Sequence, residues 1–219
     1  NYLSVNAHEL AHQWFGNWVT ASNSDNHWLH EGFATYYSWL GANEIFGQDF
    51  MDKMTWQSYK NVAYAETIDD FPLQNKQAGS QRFYDKGAWL LHMLRNKMGD
   101  DNFRATIEDY LSTYQNEIVS SDDFIKIAQD HSELDLDKFF KQWLFSSGMP
   151  ILNFKANFDE ESDQLDMIIS QEQQITFKKQ PYFFTIPVIV KTNMDTYKMK
   201  YEMVSEIKRA QIILNPGEK

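Results

Sequence analysis

The sequence predicts an α+β fold: a mostly helical region over residues 1–149, then a small antiparallel β-sandwich over residues 150–219. Three observations carry this expectation. Up to Gly148-Met149-Pro150 the apolar residues recur at helical spacing, and beyond it they alternate with polar ones. The 219 residues leave room for one large or two small domains. An apolar content of 42%, with 16% aromatic, is enough to fill real cores.

The first helix is expected over residues 3–15. Leu3, Ala7, Leu10 and Trp14 share one face, which would enter a core, while His8 and His12 lie nearly opposite and would line a cleft. Gly16 is a natural stop. Two histidines four apart are separated by one turn, about 6 Å of rise, so both imidazoles reach one ion at Zn–N distances of about 2.0–2.1 Å. Glu9 stands beside His8 but points aside, placed to hold a water as a general base. Taken alone, His8-Glu9-Leu10-Ala11-His12 also matches a pair of ordinary surface or core histidines.

A catalytic zinc needs a third protein ligand. Eighteen residues separate His12 from Glu31, room for a turn and the start of a second helix. Ser24 or Asp25 would cap that helix, and Trp28, Phe33, Ala34 and Tyr37 would be buried in it. With Glu31 the set becomes the His₂Glu arrangement of zinc peptidases, and the coincidental reading of the pentapeptide recedes.

A third helix carries Phe50, Met54 and Tyr59. The stretch 68–80, with Pro72 and Gly79, reads equally as a cleft border and a surface loop. A strong helix is expected over residues 84–98, with Trp89, Leu90, Met93, Leu94 and Lys97 at helical spacing and Gly99 as its end. Asp100 and Asp101 would cap the next helix, through Ile107, Tyr110, Leu111 and Tyr114. Ser120-Ser121-Asp122-Asp123 resembles a capping box before Phe124, Ile127 and Ala128. A last helix runs through Leu136, Phe139, Phe140, Trp143 and Leu144. Strands are expected at 151–158, 165–170, 182–190, 197–204 and 207–214, separated by turn-like segments. Among the remaining histidines, His27 stands near the third-ligand helix, where support of a ligand is the minority reading, and His30 reads equally as a support for the ligand, a pH-sensitive neighbour or an ordinary substitution. His92 reads as a core or cleft-edge residue and His131 as a solvated loop residue.

These words together carry a resemblance. The run His8-Glu9-Leu10-Ala11-His12-Gln13-Trp14-Phe15-Gly16-Asn17, then Val19-Thr20, then Trp28-Leu29-His30-Glu31-Gly32-Phe33-Ala34, and the block Tyr84-Asp85-Lys86-Gly87-Ala88 resemble the zinc aminopeptidases of the aminopeptidase N and leukotriene-A hydrolase type, which are gluzincin metallopeptidases. The likeness covers roughly the first 100 residues by motif and extends to Gln142-Trp143-Leu144-Phe145 and Gly148-Met149-Pro150. It implies that residues 1–149 are the C-terminal part of a thermolysin-like catalytic domain, and that residues 150–219 are a β-domain with a packing role. It implies one Zn²⁺ per chain on His8, His12 and Glu31, with Glu9 as general base. It also implies that Tyr84, which nothing else distinguishes among eleven tyrosines, stabilises the tetrahedral intermediate. The implied reaction is the release of N-terminal residues from peptide substrates.

Two departures stand out. The family usually has Asn where this chain has His30. The chain also begins seven residues before the first ligand, whereas the family's Gly-x-Met-Glu-Asn strand and its N-terminal β-domain lie upstream. The glutamate of that strand grips the substrate's free amine. The resemblance therefore implies a fragment of low activity that works with the missing N-terminal portion of the same enzyme. The competing readings are a zinc endopeptidase, an epoxide hydrolase-type relative, and a non-catalytic zinc-holding interaction module. Against the last, a pseudoenzyme has no chemical need to keep the ligands, the base and the tyrosine together.

Composition closes off other classes. Net charge is −11, from 20 basic and 31 acidic residues, which disfavours binding nucleic acid through its phosphates. No apolar run approaches the roughly 20 residues of a membrane-spanning helix. There is no cysteine, hence no disulfide and no thiolate metal site. This suits a cytoplasmic or a bacterial periplasmic protein equally. Neither the oligomeric state nor the preferred N-terminal residue is written in the motifs.

Overall fold

A computed structural model describes residues 2–175 and 180–215. The fold is α+β, and the chain divides into two compact units, Asn1–Gly148 and Met149–Lys219.

The first unit is helical. Its elements are α1 (Tyr2–Ala11), a two-residue strand β1 (Thr20–Ala21), a 3₁₀ turn (Ser24–Asn26), α2 (Trp28–Phe46) and α3 (Gln48–Ile68). A π-helical turn (Gln81–Lys86) then leads into α4 (Gly87–Met98), α5 (Asp100–Thr113), β2 (Ile118–Val119), α6 (Ser121–Asp130) and α7 (Asp137–Trp143). Helix α2 lies at the centre, packed by α1, α3, α4 and the π-turn. It can do so because apolar or small residues surround most of it: Trp28, Leu29, Phe33, Ala34, Tyr36, Trp39 and Ala42 are all buried. Phe33 anchors an aromatic core, stacked on Phe15 at 4.3 Å between centroids and edge-on to Phe124 at 5.2 Å. Trp28 Nε1 donates to Ser121 Oγ at 2.9 Å, so its one polar atom is satisfied inside that core.

Several expectations are corrected here. Helix α1 ends at Ala11 rather than Phe15. Its apolar stripe does not enter a core: Leu10 is 60% and Trp14 46% exposed, and Ala11 is the buried residue. The helix docks through its small residues, and a bulky stripe would hold it off α2. Neither Ser24 nor Asp25 caps α2. His27 stands at the cap position without a side-chain capping bond, while Asn23 caps the preceding 3₁₀ turn. In α3 the buried face is Met51, Thr55, Ser58, Val62 and Ala65, whereas Tyr59 is exposed. The stretch after α3 is a pinned loop, with Leu73 and Ala78 buried. Gln74 N–H donates to Leu144 O, and Lys76 N–H donates to Asp25 Oδ1. Asp100 and Asp101 fall in the first turn of α5, whose cap is Gly99 at φ +88°. The capping box of α6 is present, with Ser120 N–H donating to Asp123 Oδ2 at 2.7 Å.

A parallel pairing of β1 with β2 joins Thr20 to Ile118 and Ala21 to Val119. It ties the chain leaving the metal motif to the segment after α5. Two residues per strand are too few to leave a readable alternation.

Among the described residues the second unit holds five strands: β3 (Leu152–Asp159), β4 (Gln164–Gln171), β5 (Phe184–Lys191), β6 (Thr196–Met203) and β7 (Ile207–Ile213). They form two antiparallel sheets, β3-β4-β7 and β5-β6. The apolar core is Met167, Ile212 and Leu214, with Val188, Val190, Tyr197 and Met199 packed against it from the second sheet. Pro187 pairs with Lys200 in β5, a strand with one hydrogen-bonded neighbour, where a missing N–H is tolerated. Among the described residues no helix is long and apolar enough to cross a membrane.

Candidate metal centre

His12 lies one residue beyond α1 but keeps the helical bond, its N–H donating to His8 O at 3.3 Å. Both imidazoles therefore rise from one side of α1, their rings nearly perpendicular with centroids 4.7 Å apart. Glu31 comes from the first turn of α2. The two helices approach closely through small residues: a Cβ added at Gly41 would lie 3.8 Å from Ala7 Cβ.

His8 Nε2 is 3.1 Å from His12 Nε2 and 3.2 Å from Glu31 Oε2, and His12 Nε2 is 3.4 Å from the same oxygen. A tetrahedral zinc with bonds of about 2.0–2.1 Å has ligand–ligand edges of about 3.3 Å. The three atoms thus outline one face of such a tetrahedron. Proton placement supports the fit. His12 Nδ1 lies 3.0 Å from Phe15 O, and a carbonyl only accepts, so Nδ1 carries a proton and, in the neutral ring that binds metal, Nε2 presents a lone pair to Glu31. A lone pair facing a carboxylate oxygen is a repulsive contact that a cation between them turns into two bonds. On His8, Nδ1 meets Thr35 Oγ1 at 3.4 Å.

Glu31 is 8% exposed. Burial alone would raise its pKa. The hydrogen bonds from His8 and Tyr84, with the fields of His12 and His27, outweigh burial and hold it below the usual carboxylate range. His27 Nε2 lies 3.3 Å from the other carboxylate oxygen, Oε1. His30 Nε2 accepts from Ala21 N–H at 2.7 Å and so ties β1 to α2. Burial, then the positive fields of His27 and His12, lower its pKa and favour the neutral acceptor form.

Tyr84 sits in the π-turn rather than in the regular helix the spacing predicts. What brings it to Glu31 is a glycine contact. A Cβ on Gly32 would fall 2.9 Å from Gly87 Cα, and one on Gly87 would fall 2.9 Å from Gly32 Cα. With no side chain on either, the backbones touch one residue from Glu31 and three from Tyr84. The Tyr84 ring lies parallel to that of His8, with centroids 5.4 Å apart and planes 5° apart. Burial, the hydrogen bond to Glu31 and the charges of Glu31 and Glu9 push its hydroxyl up to about 12, so it remains a donor at ordinary pH. Glu9 is exposed on α1.

Beneath the π-turn lies a buried ion network. Glu66 takes Arg82 Nε at 3.2 Å and Lys86 Nζ at 2.9 Å on Oε1, and Gly148 N–H at 2.9 Å on Oε2. Arg82 is 1% and Lys86 4% exposed. Lys86 Nζ also donates to Gly148 O, and Arg82 to the carbonyls of Ala65, Asp69 and Ala78.

The family model described as the peptidase family M1 domain matches residues 1–143. The chain belongs to peptidase family M1. The M1 relatives include a probable aminopeptidase 2 of Sulfurisphaera tokodaii, 30% identical over 164 residues, covering 70% of this chain and 21% of that protein. An alanine/arginine aminopeptidase of Saccharomyces cerevisiae is 32% identical over 164 residues, covering 68% of this chain and 19% of its own. The chain thus spans about a fifth of the length of these curated relatives. Among solved structures, aminopeptidase A of Legionella pneumophila in complex with aspartic acid shares the fold at a TM-score of 0.71. That match covers 96% of this chain and 24% of that one at 20% identity. A mutant M1 zinc metallopeptidase of Deinococcus radiodurans bound to a Tyr-Ser-Ala substrate is 28% identical, with a TM-score of 0.59, over 68% of this chain and 34% of its own.

Within this M1 chain His8, His12 and Glu31 meet at one point with Tyr84 beside them, and Glu9 lies on the same helix as the histidines. The other two histidines stand apart from that point. His92 packs against the rings of Tyr36 and Trp89. His131 is paired with Asp109 at 2.9 Å, so it is not simply solvated. Sequence reasoning missed Thr35, the Phe15 carbonyl and Glu66. A backbone carbonyl leaves no mark in a motif, and Glu66 lies in a helix whose composition singles it out in no way. Lys86 and Gly87 were visible as words of a motif, but their partners were not.

Proposed function

We propose that this chain carries the catalytic zinc centre of an M1 aminopeptidase that releases N-terminal residues from peptides. One juxtaposition carries the reading: three ligand atoms spaced as a tetrahedral face, with a protonated phenol hydrogen-bonded to one of the ligands. The names of the aminopeptidase relatives support it. His8, His12 and Glu31 hold one Zn²⁺ per chain. When bound, zinc supplies a Lewis acid that acidifies water and polarises a carbonyl. Glu9 accepts the proton of the attacking water and delivers it to the leaving amine nitrogen. Its exposure leaves the carboxylate accessible for that exchange. Tyr84 turns its O–H from Glu31 to the developing oxyanion, a contribution of about 2.7–4 kcal/mol for one such donor.

Residues 1–149 act as the C-terminal part of the catalytic domain, and residues 150–219 form a β-sandwich domain that packs and spaces. The relatives are about five times longer than the matched region. The group that grips the substrate's amine belongs to the N-terminal portion of the parent enzyme. On its own the chain holds zinc and turns over little. The test is hydrolysis of an aminoacyl anilide by zinc-loaded protein, with Glu9→Gln alongside. Trace turnover, removed in Glu9→Gln with zinc retained, is expected. Near-normal turnover in Glu9→Gln contradicts the base assignment. Robust turnover by the wild-type chain contradicts its dependence on the N-terminal portion.

A further inference from the structure

Glu31 has two oxygens, and the ligand triangle uses one. Oε2 faces His8 and His12, while Oε1 faces His27 Nε2 at 3.3 Å. His27 is the residue from which α2 departs, its carbonyl accepting from His30 N–H at 3.0 Å and Glu31 N–H at 3.2 Å. A residue four positions ahead lies on the same helix face, one turn away. The imidazole is also held from outside α2. Its ring meets Phe83 edge-on at 5.3 Å, and Phe83 is the buried neighbour of Tyr84. Two separate elements of the site thus aim one ring nitrogen at the carboxylate oxygen that has no ligand duty.

We propose that His27 is a positioning residue for the metal, its Nε2–H held on Oε1 so that Glu31 binds zinc through Oε2 alone. The proposal rests on the zinc reading above. A carboxylate with an unoccupied second oxygen can swing to grip a metal with both, which raises the coordination number and takes the position that water and substrate need. A donor on Oε1 removes that option. It also fixes the carboxylate plane, as partners of metal ligands commonly do. Tyr84 addresses Glu31 as well, but the proposed mechanism requires it to leave for the oxyanion. His27 has no second duty and keeps Glu31 in place when Tyr84 turns away.

The test compares zinc affinity, by competition with a chromophoric chelator, in the wild type, His27→Leu, His27→Gln and His8→Ala. Cobalt-substituted protein gives a second readout, because its visible absorption weakens as coordination number rises. His27→Leu is expected to weaken zinc binding about 10- to 100-fold and to lower the cobalt absorption. Glutamine, which restores a donor, should recover most of both. His27→Ala, read the same way, serves should leucine disturb the start of α2. Wild-type affinity and spectrum in His27→Leu, with zinc lost in His8→Ala, overturns the proposal and leaves the zinc reading standing. Loss of metal in His27→Leu as complete as in His8→Ala also overturns it, since His27 would then be a ligand. A wild-type chain that takes up no zinc overturns the zinc reading and the proposal with it.

Discussion

A lone pair aimed at a carboxylate is the residue-scale argument for a metal. The Phe15 carbonyl accepts from His12 Nδ1–H, so in the neutral ring Nε2 has nothing to donate to Glu31 3.4 Å away. Tyr84 is the complementary case, a phenol kept protonated by burial and by Glu31. Tyr84→Phe should therefore retain zinc and lose about 10²- to 10³-fold in kcat, the usual loss for one oxyanion donor. An unchanged residual turnover on the zinc-loaded variant would remove Tyr84 from the mechanism. The same property has a consequence in alkali. Burial first, and then neighbouring charge, raises Tyr37 and Tyr84 to about 12, whereas a tyrosine in the unfolded chain loses its proton near ~10. Between those values the unfolded chain has given up protons that the folded one keeps, so stability falls as pH rises. Urea midpoints measured from pH 9 to pH 11.5 should decline over that window, and a flat or rising series would contradict these shifts.

At the scale of elements, the π-turn places Tyr84 beside the ligand cluster. Gly32 against Gly87 sets its distance from α2, and Glu66 anchors it from below through Arg82 and Lys86. Burial lowers the pKa of Lys86, and the charge and hydrogen bond of Glu66 offset part of that. Glu66→Gln leaves buried Lys86 without its anion, while Arg82 keeps Asp69 Oδ1 at 2.8 Å, and should cost about 3–5 kcal/mol, read from urea denaturation. A loss below about 1 kcal/mol, the range of exposed pairs, would mean that the network does not hold the turn. Little of this was legible beforehand. The local spacing around Tyr84 is helical, and only tertiary contact converts its first turn to a π-turn. Helix α1 misled for a related reason: its periodic stripe of Leu3, Leu10 and Trp14 is real, but the helix docks through Ala7 and Ala11. The capping box at Ser120 and the alternation in β3 to β7 were readable, because both depend on neighbours in sequence rather than on distant partners.

For the whole molecule, the break after Gly148 separates a helical unit that carries the candidate zinc ligands from a β unit that carries none among its described residues. The change from helical spacing to alternation made the α+β class legible, since the two periods differ all along the chain. The convergence of His8, His12 and Glu31 was legible too, because a metal motif on helices constrains both residue type and spacing. What supports the ligands was not. Thr35, Phe15, Glu66 and the β1–β2 pairing act across the fold, where spacing carries no information. The central claim is that His8, His12 and Glu31 converge on one zinc within this chain. Elemental analysis of the purified protein beside His8→Ala tests it most directly. About one zinc per chain, lost in the variant, is the expected result. Absence of zinc from the wild-type chain after reconstitution, or equal zinc in both proteins, would contradict it.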